Sequence, residues 1–123
     1  MKVLLSIKPE FANKIFNGIK QYEYRRTIFK KTNIDSVLVY ATSPISKVIG
    51  EFEIDNIICD ELESLWNKTS QHSGISEEYF YTYFGNKEKG YAIKIKNTTK
   101  YQNPLSLKEE FNVMPPQSFI YIE

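Results

Sequence analysis

The chain has 123 residues, of which 41% are apolar, and a net charge of +1. That is room for one compact domain over residues 1–123, without the charge surplus that announces a polyanion partner. A lone Cys59 excludes an intrachain disulfide and supplies no metal-ligand set. No apolar run approaches the roughly 20 residues of a bilayer span, and Met1 to Leu5 lacks the long apolar stretch of a secretory leader. The expected setting is cytoplasmic, with no membrane, metal or cofactor.

Lys2 to Ile7 is apolar and β-branched, an opening strand. Pro9 suits a first helical turn, and Phe11, Ala12, Ile15 and Phe16 repeat at helical spacing, with Gly18 as the stop. Lys20 to Arg26 alternates as a strand does, which puts Glu23 and Arg25 on one face and Tyr22 and Tyr24 on the other. Ser36 to Thr42 and Lys47 to Ile58 are the next strands, joined by the turn-like Ser43-Pro44-Ile45-Ser46. Gly50 inside the second marks a bulge or a close backbone approach.

From Asp60 to Gly85 the pattern is helical. Asp60-Glu61-Leu62 with Leu65 and Trp66 gives one short helix. Ser76 caps another that carries Tyr79, Phe80, Tyr83 and Phe84 and stops at Gly85. Gly90 to Lys96 is a strand, and Pro104 to Leu107 and Ser118 to Ile122 are the last two. Strands with helices inserted between them predict an α+β fold, a small mixed β-barrel with short helices.

Charge is unevenly spread. Residues 1–31 carry eight basic residues against Glu10 and Glu23, whereas residues 51–80 carry eight acids against Lys68. Such polarity attracts phosphate at one end of a near-neutral molecule, or else two solvated faces pair with each other.

The stretch Gly18-Ile19-Lys20-Gln21-Tyr22-Glu23-Tyr24-Arg25 fits the pattern GxKxxExR. With the opening "LLSIKPEFANKIFNGIKQYEYRR", the segment "VYATSPISKVIGEFEI", then "GYAIKI" and the closing "PPQSFIYI", it resembles the ASCH domains of the PUA-like superfamily over nearly the whole chain. The resemblance implies a PUA-like pseudo-barrel with a cleft for RNA or a nucleotide. In that frame Lys20 and Arg25 neutralise a phosphate, as a point charge and a planar fork respectively. Glu23 accepts from an exocyclic amine of a base or orients Arg25; the plain alternative is an ion pair that only locks the strand.

Ser6, Lys8 and Ser43 leave strand ends near the same rim, as candidate contacts or as turn residues. Gln117 and Ser118, after Pro115-Pro116, read a base edge or simply form a rigid approach to the final strand. Tyr40 and Tyr121 offer stacking faces, with core packing the better assignment for at least one of them. His72, alone in a polar stretch, is expected to be exposed. Cys59, without a basic neighbour, is expected to be a small buried residue rather than a nucleophile.

Some small relatives hydrolyse the amide of N-acetylated cytidine, so an amidohydrolase is the alternative function. Lys20 matches the lysine of their motif, but a threonine three residues on is here Glu23. That departure leaves Lys20 and Glu23 as the catalytic candidates, through water attack with Glu23 as general base. Binding of RNA or a modified nucleoside is favoured.

Overall fold

The computed structural model describes residues 1–123. Its elements are β1 (Lys2–Ile7), α1 (Pro9–Phe16), β2 (Tyr22–Arg25), β3 (Ser36–Ala41), β4 (Lys47–Glu61), α2 (Leu62–Thr69), α3 (Glu77–Phe84), β5 (Lys89–Leu105) and β6 (Phe119–Ile122). One mixed sheet runs in the order β2-β5-β4-β3-β1-β6. Only β1 and β3 pair in parallel; α1, the oppositely directed β2 and the segment after it make the crossover between them.

The α+β class holds, but the strands do not close into a barrel. β2 and β6 are the two edges of the sheet, and no ladder joins them. β2 is only four residues long and spends its pairing on β5. Its other side is bridged by side chains instead: Arg25 reaches from β2 to the Ser6 carbonyl on β1 and to Ser118 beside β6. The segment after β2 adds to this closure, since Phe29 packs edge-on against Phe119 and the Lys30 amide donates to the Tyr121 hydroxyl.

Period-two alternation sorts the side chains of β1 onto two faces. Val3, Leu5 and Ile7 join Ala12 and Ile15 of α1, Val37, Val39 and Phe52 in the main core, which seats α1 on the sheet. Leu4 faces the other way, toward Leu38, Tyr40, Val48 and Leu107. A third cluster lies under α2 and α3, where Tyr24, Leu65, Phe80, Phe84 and Ala92 meet. These helices therefore cap the β2–β5 end of the sheet.

Gly50 is both a bulge and a close approach. The β3–β4 register shifts beside it, and an added Cβ would meet the Phe16 ring and the Thr99 carbonyl oxygen, each at 2.5 Å.

Several boundaries differ from those the sequence predicts. β4 runs through Asp60 to Glu61, so those two residues end a strand and the helix starts at Leu62. β5 is 17 residues long and absorbs Pro104, where a separate strand was expected; Leu107–Phe111 forms one wide helical turn. Cys59 is exposed, not buried. It pairs with Tyr91, and the alternation that turns Ile58 toward the α2–α3 cluster turns Cys59 to solvent. His72 is exposed as expected. No helix is long and apolar enough to cross a membrane.

Candidate functional site

The open side of the sheet is a cleft of about 480 Å³, within the usual range for ligand sites. Its walls come from the end of β1 and the start of α1, from Lys20 and β2, from α3, and from the segment before β6. Ser6, Lys8, Lys20, Glu23, Arg25, Gln117 and Ser118 all line it. Ser43 does not: it sits exposed in the turn between β3 and β4. Tyr40 and Tyr121 also lie outside the lining, Tyr40 in a core cluster and Tyr121 as acceptor for the Lys30 and Lys31 amides.

Arg25 is the organising side chain. Its Nη1 donates to Glu23 Oε2 at 3.1 Å and to the Ser6 carbonyl at 3.4 Å. Its Nη2 donates to the Ser118 carbonyl at 3.1 Å and to Ser118 Oγ at 2.9 Å. The two terminal nitrogens carry four of the five guanidinium N–H groups, so the fork is nearly used up within the protein. Arg25 and Glu23 keep only 10% and 8% of their side-chain surface exposed, which makes this a buried ion pair. Of the roles open to Glu23, orientation of Arg25 is therefore realised, and the fork is not free to grip a phosphate.

The two serines belong to the same scaffold. Ser6 Oγ donates to the Pro116 carbonyl at 2.7 Å, and the Ser6 amide donates to the Ser118 carbonyl. Arg25 thus ties β2, β1 and the 116–118 segment into one corner.

Glu23 retains one open valence. Oε2 is taken by Arg25, while Oε1 receives no hydrogen bond from the protein. No fully enclosed side-chain oxygen or nitrogen of the chain lacks a partner, so Oε1 is reached from the cleft.

Lys20 forms the floor. It is only 2% exposed, and Nζ donates to the Ser73 carbonyl at 2.8 Å. The ammonium also lies 4.9 Å from the Tyr24 ring centroid and 5.4 Å from that of Phe11. Local backbone makes this burial possible. The Lys20 amide bonds to the Lys14 carbonyl, the Gln21 amide to that of His72, and Lys14 Nζ to that of Gly74. Gly74 has φ +70, and an added Cβ would stand 2.6 Å from Lys20 Cβ, so a side chain there would expel the lysine.

Desolvation lowers the Lys20 pKa from 10.5 to about 8, against the opposing pull of the Glu23 charge and with a smaller push from Lys14. Beside it, burial raises Tyr24 to about 12 despite its bond to Thr69. Burial likewise raises Tyr83.

The exposed rim differs in character from this floor. Lys8, Arg26 and Lys87 stand on it, and none of them pairs with a carboxylate. Nor do the basic and acidic segments neutralise each other, since Lys2–Glu51 is the one ion pair that joins them. Phe11, Tyr79 and Tyr83 supply aromatic wall, with Phe11 and Tyr79 edge-on at 5.1 Å. Arg26, Lys87 and these three aromatics were not singled out by the sequence. The available signal lay in α3: Phe80 and Phe84 are fully buried, so their neighbours Tyr79 and Tyr83, also four apart, fall on another face.

A curled mixed sheet with a buried Arg–Glu corner, a lysine floor and a cationic, aromatic rim defines a small α+β cleft domain. The ASCH domain family matches residues 5–103. An ASCH domain-containing ribonuclease of Zymomonas mobilis is 31% identical over 98% of this chain and 84% of its own length. The crystal structure of ASCH from Zymomonas mobilis superposes with a TM-score of 0.91 at 30% identity, covering 99% of this chain and 87% of that one. Large ribosomal subunit protein uL22 of Ureaplasma parvum is 33% identical over 98% of this chain, which spans only 39% of the length of that relative. The chain belongs to the ASCH domain family.

Two outcomes follow from the geometry. Arg25→Met removes the four bonds and strands a buried Glu23 carboxylate, so it should cost about 3–5 kcal/mol in urea unfolding. The double variant with Glu23→Gln should recover part of that loss; equal loss in both would show that the carboxylate is not held by Arg25.

The second outcome concerns pH. Lys20 binds its proton more weakly when folded, so between pH 8 and 10 the unfolded chain holds the extra proton and stability rises with pH. Above about pH 10 Tyr24 acts the other way, because the unfolded chain loses that proton first. Wild type should gain melting temperature from about pH 8 to 10 relative to Lys20→Met; parallel curves would refute the buried amine.

Proposed function

We propose that this domain binds single-stranded RNA or a nucleotide in the cleft walled by β1, β2 and α3. The observation that carries the reading is chemical segregation within one cavity. Unpaired cations stand on its rim, aromatic rings form its wall, and polar groups occupy its floor. Phosphates suit Lys8, Arg26 and Lys87, which are exposed and free of carboxylate partners. A base suits the ring faces of Phe11, Tyr79 and Tyr83, since stacking on aromatic side chains tolerates any sequence. Gln117, exposed and at the cleft edge, has an amide free to meet a base or ribose. The name of the Zymomonas mobilis relative, a ribonuclease, supports RNA as the polymer.

Fluorescence anisotropy with a labelled oligoribonucleotide tests this. Log affinity should fall linearly with log salt, with a slope near −0.7 for each phosphate neutralised. Lys8→Ala with Lys87→Ala should flatten the slope by about 1.4 without lowering the melting temperature. An unchanged slope would remove the rim from the interface.

One observation favours a second reading, hydrolysis in the same cleft. An amine brought to about 8 exchanges protons near neutral pH, as an acid–base group must. Incubation with an RNA oligomer and, separately, N-acetylated cytidine tests it by chromatography of the products. Turnover that rises to a plateau near pH 8 and vanishes in Lys20→Met supports catalysis; no turnover at high enzyme removes it.

A further inference from the structure

The floor of the cleft is not built for a phosphate. Arg25 is committed to Glu23, Ser6 and Ser118, and the Lys20 ammonium to the Ser73 carbonyl and two ring faces. What remains open is a negative acceptor, Glu23 Oε1, on a residue 6% exposed. An anion entering here would meet that carboxylate at contact distance, with the nearby positive fork already neutralised by it. A flat group carrying N–H donors would instead satisfy it, and would pass the aromatic wall that Phe11 and Tyr79 form edge-on at 5.1 Å.

We propose that the floor selects an unpaired nucleobase with an exocyclic amino group, turned out of a single strand so that its amine donates to Glu23 Oε1. The inference rests on the RNA-binding reading and adds base choice to it. Cytosine presents an N4 hydrogen on its C5 side, where a lone carboxylate oxygen accepts with no acceptor of the ring beside it. Uracil has a similar ring size but carries an oxygen at the equivalent position, so the same approach sets two acceptors against each other, and its one donor, N3–H, lies between two carbonyl oxygens that repel the carboxylate. The loss is then that of a carboxylate oxygen shut off from water with no donor in return. Arg25 makes the choice firm, because its bond holds Oε2 and leaves the other oxygen open to the cleft.

The comparison of cytidine and uridine is chosen because the two pyrimidines present similar stacking surfaces. Labelled octamers of each, titrated with the intact chain at one salt concentration, should differ about tenfold in dissociation constant in favour of cytidine. Glu23→Gln keeps the size of the side chain and offers an amide that can donate to the uracil oxygen. This variant should bring the two constants together or reverse their order, while Lys8→Ala should weaken both octamers by the same factor. Equal affinity of wild type for the two octamers would overturn base selection and leave RNA binding standing. A Glu23→Gln variant that preserves the tenfold preference would also overturn it. Failure to bind either octamer would overturn the RNA reading and this inference together.

Discussion

The guanidinium of Arg25 is the constraint on which the rest of the site depends. A six-stranded sheet with β2 and β6 at its edges has an open side, and open sides expose unpaired backbone. Here one side chain spans the gap, bonding a carbonyl of β1, the carbonyl and hydroxyl of Ser118, and the carboxylate of Glu23. A buried pair of this kind adds little net stability over an apolar substitute, yet breaking it is costly. Its benefit is position: the fork fixes how far β2 stands from β1, and so fixes the width of the cleft.

That division of labour separates residues that shape the cleft from residues that meet a guest. Ser6, Arg25 and Ser118 satisfy one another. Lys8, Arg26 and Lys87 face solvent with no counter-ion, and Glu23 keeps one oxygen free of protein donors at the cleft. Lys20 belongs to both groups, since its bond to the Ser73 carbonyl anchors the loop before α3 while its amine forms the floor. Keeping an ammonium buried works against folding, which is why its proton is held loosely. Sites that do chemistry or selective binding often carry such a cost.

Much of this was legible in the sequence. The order of strands and helices followed from periodicity, and the single-face placement of Glu23 and Arg25 followed from strand parity. The glycines at 18 and 85 ended their helices as expected. The long β4–β5 ribbon was less visible, because Asn97-Thr98-Thr99 is polar on both faces and exposed, which erases the alternation that marks a strand. Pro104 was read as a boundary although it lies near the end of a strand, where a missing N–H is tolerated. Cys59 was misplaced because residue preference was weighed above the parity set by Ile58.

The site was harder to read than the fold for a different reason. Composition identifies a candidate arginine but not how many of its donors are already engaged. Apart from Glu23, the partners of Arg25 lie 19 and 93 residues away, and two of the groups it meets there are backbone carbonyls, which no side-chain motif records. The same holds for Tyr79 and Tyr83, whose helical spacing was plain while their orientation toward the cleft depended on how α3 docks through Phe80 and Phe84.

The most direct test of the account follows the Arg25 guanidinium by NMR during titration with a single-stranded RNA octamer. Slowly exchanging Nη–H signals that keep their positions, while amides at residues 6–8, 75–83 and 117 move, would establish Arg25 as scaffold beside an occupied cleft. Large shifts of the guanidinium signals toward those of a phosphate-bound arginine would contradict it.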